Sequence, residues 1–471
     1  MINKQKIYSI QTESNDTKLI EVEVIILNGL YRFSILGINQ KNSTDTKDRI
    51  YSALRSQKLV NLKSDNKKIT VNLLPTSIEK KTNIYDLSIA ISCLSCMGQI
   101  NIDEDIIAIG ELSILGNIIP ASFVLKSIYQ AIKNNVKLII CSQTDLHILN
   151  KYQIDIYKII KDNNIKFISS NNLSDLIQNI KNKTYYVFKD TDTKDIIGFN
   201  LNIDHISEKF NPHILKIILA LSTKRNIFIE NNKNCYIKKY IKNLKYYNIK
   251  LNSLEILEIS NILNIPDEQI LEKYIYPKIS ELDSQTQKKH LRILLNESTF
   301  GFNIIEDFLN INDESLYIIK KFNKSSIFCF YNSCPCGNNN IFFNNIGNNK
   351  CFCIQRNIIK HRQKIQNIEN EFFDFYISNT IETVTEYISD DYLMVNGIIY
   401  KFRNSILEIN EGDVSDIFIK NNINNFERIY LDKIISLAKD ITKLNCILGR
   451  LDITVSQDDI DLAIKLSRKD F

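Results

Sequence analysis

The chain has no tryptophan, and it has few prolines and glycines: six and twelve in 471 residues. Isoleucine, asparagine and lysine dominate in their place. This tilt is that of an AT-rich genome and says nothing of function, so asparagine- and lysine-rich runs such as NNIGNNK carry little weight. No run of eighteen apolar residues occurs, and none is expected to span a membrane. The opening stretch, MINKQKIYSIQTESNDTKLI, lacks the apolar core of a secretory signal, so cytoplasmic placement is expected. Thiols stay reduced there, and ten scattered cysteines do not form a disulfide framework. A strong charge imbalance is also missing: 59 basic residues face 54 acidic ones. That balance neither requires nor excludes nucleic acid.

What is present is length and hydrophobic content. A chain of 471 residues is too long for one ordinary domain, and 44% hydrophobic residues suffice for two or three cores. IEVEVIILNGL alternates and ends in Asn28-Gly29, which predicts a strand and a hairpin turn leading to a second strand, YRFSILGI. STDTKDRIYSALRSQK opens with Ser and Thr caps and predicts a helix. KKITVNLLP predicts a strand stopped by Pro75. YDLSIAISCLSCMGQI predicts a buried helix, and IIAIGELSILGNIIP a hairpin turning at Gly116-Asn117. Strands alternate with helices to about residue 182, which defines a mixed α/β unit. From Lys183 the pattern restarts with a helix, PHILKIILALSTK, and a strand, RNIFIEN. From about Asn422 the chain is helical.

Four cysteines fall in two close pairs, Cys334/Cys336 and Cys351/Cys353, spaced C-x-C-x14-C-x-C. Four thiolates hold Zn²⁺ tetrahedrally in closed structural sites, and a metal would fold the intervening GNNNIFFNNIGNNK. The alternative is two pairs of reduced, partly buried thiols. His361 reads as a helix-surface residue.

The order of these pieces resembles the ComM/YifB-type magnesium-chelatase-like AAA+ family. VEVIILNGLYRFSILGI, TKDRIYSALRSQKL, KKITVNLLPTSIEKKTNIYDLSIAI and IGELSILGNIIP are similar to its N-terminal domain, with Asn72, Leu73, Pro75, Asp86 and Leu87 in matching places. CPCG after Asn332, then CFC, resembles its paired-cysteine segment. LAKDITKLNCILGRLDITVSQDDIDLAIKLSRKDF resembles its helical C-terminal domain. The resemblance implies an S5-like domain, shared with Lon proteases, over residues 1–182. It implies an AAA+ core over 183–421 and a helical domain over 422–471. It also implies ATP with Mg²⁺ as cofactor, DNA as partner, assembly into a homo-oligomeric ring, and branch migration during recombination.

The nucleotide site departs from that family in four places. A P-loop needs glycines for close approach of backbone N–H groups to phosphate, and a lysine to bridge them. The loop should follow RNIFI, but ENNKNCYIKKY, Glu230 to Tyr240, contains no glycine. Asn231, Asn232 and Asn234 tolerate a left-handed backbone. Ile237 falls at the lysine position, Lys238 at the Ser/Thr position, and Tyr236 at a glycine position. The acidic pair that holds Mg²⁺ and orients water is reversed, as Glu306-Asp307; two solvated acids after a strand is the alternative. Asn332 occupies the sensor position. The stretch from Glu306 to Asn332 is short, and Phe372 stands where the family has arginine, with Asp374 retained. These departures predict weakened or lost ATPase activity. The Ser–Lys dyad of Lon proteases falls near Tyr85 and at Leu125, with Lys126 one place off, so proteolysis is not expected. Two readings remain: a divergent DNA translocase, or a non-catalytic pseudo-ATPase scaffold with a zinc loop.

Overall fold

The computed structural model describes residues 5–13, 16–59, 66–78, 80, 84–151, 156–188, 210–230, 236–244, 251–306, 308–331, 373–377, 391–405, 407–410 and 428–467, with single residues or pairs between 353 and 363. It is a mixed α/β protein of two compact units, the first covering 1–194 and 251–275, the second 195–250 and 276–471. Asn231, Asn234, Asp307, Asn332, Cys334, Cys336 and Cys351 lie outside the described residues.

The first unit opens with β1 (Ile7–Thr12), β2 (Thr17–Asn28), β3 (Arg32–Leu36), α1 (Gln40–Ser56), β4 (Lys67–Leu74) and α2 (Asp86–Cys96). Next come β5 (Ile106–Ala108), β6 (Glu111–Leu112), β7 (Ile118–Ile119), α3 (Val124–Asn134), β8 (Leu138–Ser142), α4 (Gln143–Lys151), α5 (Ile156–Asp162), β9 (Lys166–Ser170) and α6 (Leu173–Lys181). The main sheet has the order β3-β4-β2-β1-β5-β8-β9. In β2 and β4 the alternate residues Ile20, Val22, Val24 and Ile69, Val71, Leu73 are buried, as the strand period of two requires. All five residues of β8 are buried between the parallel neighbours β5 and β9. Such a strand is a continuous apolar run because both faces are covered.

The first hairpin expectation needs correction. β2 and β3 are not partners, because β4 lies between them, antiparallel to β2 and parallel to β3. The cause is α1, whose crossover returns the chain as a parallel strand inside the gap. Residues 29–31 therefore bridge two strand spacings of about 4.8 Å each, a distance within reach of a short extended link. The second hairpin forms as expected between β6 and β7, with Gly116 at φ 84 and its N–H donating to Ser113 O at 2.9 Å.

The chain continues with α7 (Pro212–Thr223), β10 (Ile227–Glu230) and α8 (Tyr236–Leu244), then rejoins the first unit as α9 (Ser253–Ile262) and α10 (Asp267–Lys273). Asn211 caps α7, accepting from the N–H groups of His213 and Ile214, with proline at the first helical turn. The rest of the second unit is β11 (Ile279–Leu282), α11 (Lys288–Glu297), β12 (Phe302–Ile305), α12 (Asp313–Phe322), β13 (Ser326–Tyr331), β14 (Phe375–Ile377), α13 (Asp391–Asn404), α14 (Arg428–Leu448) and α15 (Gln457–Ser467).

Its sheet has the order β11-β12-β13-β10-β14, with every neighbouring pair parallel. Both faces are covered. Ile227, Ile229, Phe302, Ile304, Phe328 and Phe330 join one core with residues of α7, α13, α14 and α15. Phe228, Ile305, Ile327 and Cys329 join another with residues of α11 and α12. The alternation of strand side chains between two layers accounts for both cores.

Candidate functional site

In an open parallel α/β sheet, ligands meet the protein beyond the carboxyl ends of the strands. Three segments singled out in the sequence leave such ends on adjacent strands. β10 runs into the stretch before α8, β12 ends at Ile305 just before Glu306, and β13 ends at Tyr331 just before Asn332.

α8 turns two residue types in opposite directions. Ile237 is 2% exposed and belongs to the core, together with Tyr240, Ile241 and Leu244. Lys238 and Lys242, four residues apart and thus on one helix face, reach the carboxylate after β12. Lys238 Nζ lies 3.1 Å from Glu306 Oε1, and Lys242 Nζ lies 2.8 Å from the same oxygen. Lys242 is also 4.0 Å from Glu281 Oε2 on β11, and Lys238 lies 5.6 Å from the centre of the Phe330 ring. Partial burial pushes the Glu306 carboxyl up, but hydrogen bonds from Lys242 and Lys238 outweigh it, and its pKa falls below the ordinary glutamate value. The same bond to Glu306 raises the Lys242 ammonium.

The structure therefore brings Lys238 and Glu306 together and sends Ile237 into the core. Sequence reading missed Lys242. Its signal was there: a second lysine one helical turn beyond Lys238 and on the same face.

Asp374 is fixed as part of the scaffold. Its Oδ2 accepts from Asn226 N at 2.9 Å, and Oδ1 lies 3.8 Å from Arg225 Nη1. Arg225 also donates to Asp440 Oδ2 and Ser436 Oγ on α14. Burial pushes Asp440 up, with Arg225 opposing it. Arg225 thus ties the entry of β10 to α14.

In the first unit, Tyr85 donates its hydroxyl to Gln11 Oε1, and Leu125 is fully buried. The Lys126 ammonium is buried and donates to Ile265 O at 2.8 Å. Arg49 of α1 grips Asp86 of α2 with two bonds, Nε to Oδ2 at 2.7 Å and Nη2 to Oδ1 at 3.2 Å. The planar guanidinium fits a carboxylate in this two-pronged way. Burial nevertheless pushes Asp86 up to about 6, with Arg49 opposing it.

Among the described residues, no group of three or more His, Cys, Asp or Glu side chains is arranged to hold a metal ion. Of the paired thiols only Cys353 is described. No helix is long and apolar enough to cross a membrane, again among the described residues.

Residues 22–145 match the family model for subunit ChlI of Mg-chelatase. The chain is 30% identical over 139 residues to the competence protein ComM of Haemophilus influenzae, covering 29% of this chain and 27% of that protein. It is 30% identical over 128 residues to the uncharacterized protein YifB of Escherichia coli, covering 27% and 25%, and 29% identical over 126 residues to YifB of Salmonella typhimurium, covering 26% and 24%. The match thus spans about a quarter of the length of these relatives. Residues 22–145 of this mixed α/β chain are thus similar to a subunit of Mg-chelatase.

Proposed function

We propose that the chain derives from an ATP-dependent DNA branch-migration factor of the ComM type and has weakened or lost ATP turnover. The first unit takes the role of the family's S5-like domain. The sheet of the second unit takes the role of an AAA+ core, and the C-terminal helices that of its lid. DNA and further copies of the chain, in a ring, are the partners of this reading; H. influenzae ComM is named as a competence protein.

One observation carries the reading: the joint hold of Lys238 and Lys242 on Glu306. A working site needs its lysine free for phosphate and its carboxylate free for Mg²⁺. Here the carboxylate is neutralised by the protein's own ammonium groups, and the side chain at the lysine position, Ile237, is buried in the core. These residues do not fit a Mg²⁺–triphosphate group. The experiment is an ATPase assay of the purified chain with and without branched DNA. Turnover at background in both supports the reading, and DNA-stimulated turnover overturns it.

The second reading is a non-catalytic scaffold with a zinc loop, favoured by the spacing of Cys334, Cys336, Cys351 and Cys353. About one zinc per chain in protein purified without chelator supports it. Zinc-free, folded protein removes it.

A further inference from the structure

Within the second unit, α11 and α12 cover one face of the sheet. Leu291 and Leu295 of α11, and Ile318 and Ile319 of α12, enter the core that holds Phe228 and Ile305. The outer sides of the two helices face water and carry a ladder of cations and rings. Arg292 of α11 stands over the Phe322 ring of α12, its guanidinium carbon 4.9 Å from the ring centre. Phe322 packs against the core from below, which fixes the ring. Lys321 Nζ lies 5.6 Å from the centre of the same ring. It also lies 5.6 Å from the centre of the Tyr317 ring and donates to the Tyr317 hydroxyl at 3.5 Å. Tyr317, one helical turn before Lys321, is 62% exposed. Lys324 follows just beyond α12 and is exposed, as are Arg292 and Lys321.

Charge is out of balance on this surface. Several exposed lysines elsewhere lie beside a carboxylate, as Lys6 does with Glu21, Lys18 with Glu13 and Lys183 with Asp103. At the start of α11, Lys288 meets Glu314. Arg292, Lys321 and Lys324 have no ion pair among the described residues. The acids of α12, Asp313 and Glu314, stand in its first turn, at the end away from Lys321. The negative end of the helix dipole accounts for cations in the last turn of α12. It does not account for Arg292, which belongs to α11, nor for an exposed tyrosine ring beside unneutralised charge.

An anionic polymer that carries flat rings matches both features. Phosphates seek cations that no carboxylate has neutralised, and unpaired bases stack on exposed aromatic rings whatever their sequence. An acidic peptide would take the cations and leave the ring of Tyr317 unused. We propose that the outer face of α11 and α12 binds single-stranded nucleic acid, with Arg292, Lys321 and Lys324 on phosphates and a base stacked on Tyr317. This face deepens the DNA partnership proposed above and rests on that reading for its partner, though not on the fate of ATP turnover.

The test is fluorescence anisotropy of labelled oligo(dT) with the full chain at low salt. The variants are Tyr317→Ala, the pair Arg292→Ala with Lys321→Ala, and Lys465→Ala on α15 as control. Tyr317→Ala should raise Kd on the order of tenfold, the loss of one stacked base. The cation pair should flatten the log–log salt dependence by about 0.7 for each charge removed. Lys465→Ala should match wild type. An abasic oligonucleotide of the same length should bind wild type about as weakly as oligo(dT) binds Tyr317→Ala.

Oligo(dT) binding that every variant retains overturns this face and leaves DNA as a partner elsewhere on the chain. Absence of oligo(dT) binding by wild type overturns both. Equal affinity for the abasic strand makes the face a site for any polyanion, an acidic peptide included, and overturns the stacking that defines it. Should a variant fail to fold, amine labelling of wild type decides. Oligo(dT) must protect Lys321 and Lys324 and spare Lys465, and labelling of Lys321 and Lys324 that oligo(dT) leaves unchanged overturns the proposal.

Discussion

Lys126 and Asp267 in the first unit, and Lys238, Lys242 and Glu306 in the second, are both lysine–carboxylate clusters, but water treats them differently. The first pair is buried. Burial pushes Asp267 up to about 7 and Lys126 down to about 8, against their mutual attraction. The second cluster is partly open, its side chains 27–39% exposed, and there the partners win and Glu306 is lowered. Attraction between like sets of charges thus has opposite consequences. In the interior the desolvation cost exceeds the Coulomb gain; at the strand ends it does not.

The largest expected effect follows from the buried pair. Asp267→Ala strips the buried Leu125 N–H of its acceptor and removes the charge that favours the Lys126 ammonium, and should cost ~1–3 kcal/mol, the usual range for leaving a buried group unsatisfied. Urea denaturation followed through the first unit measures it. The double variant Lys126→Met with Asp267→Leu should recover much of that loss. A double variant as unstable as the single one would mean that shape, not charge, holds the site.

The next effect is in pH. Burial raises Asp86 and Asp145 to about 6 and Asp267 to about 7. A raised carboxyl keeps its proton longer folded than unfolded. Its contribution is therefore complete below the unfolded aspartate range and is lost as pH rises through 6 to 7. Glu306 and Asp459 behave in reverse. In Asp459 burial is outweighed by bonds from Ser456, Arg450 and Thr442, and the carboxyl is lowered. Its contribution is present above the unfolded range and is lost as pH falls through the lowered value. Segment-resolved hydrogen exchange should show β2 and β4 opening more readily from pH 4 to 7, and α14 and α15 opening more readily below pH 4. The same slope in both units would erase the contrast.

A smaller effect is expected at the open cluster. Glu306→Gln removes a partly exposed partner, and such pairs contribute about 0–1 kcal/mol. Thermal denaturation should shift by no more than a few degrees. A large loss would place Glu306 with the buried pair.

Much of this was legible in the sequence, for identifiable reasons. Strands with strict alternation, such as β2 and β4, and largely apolar ones, such as β8 and β13, announce themselves by period and composition. So does α7, with its Asn211 cap and following proline. Strand partnership was not legible: Asn28-Gly29 has hairpin chemistry, yet β4 enters between its flanking strands, because topology is decided by the crossover through α1 and not by the turn. At the site, Ile237 and Lys238 could be placed by counting from β10. The meeting of Lys238 with Glu306 could not, since it joins residues 68 positions apart that follow β10 and β12, with β13 between those strands. The packing of Leu251–Ile275 into the first unit was hidden for a similar reason. Its polar seam pairs Asn261, Ile265 and Asp267 with residues more than a hundred positions earlier, and no local pattern records that.

The central claim is that the protein's own lysines occupy the position where Mg²⁺ and phosphate would bind. Titration with a fluorescent ATP analogue and Mg²⁺ tests it most directly. The account predicts no saturable binding in the micromolar range, and none gained or lost in Lys238→Ala. Micromolar binding that Lys238→Ala abolishes would contradict it, since Lys238 would then be serving phosphate and not Glu306.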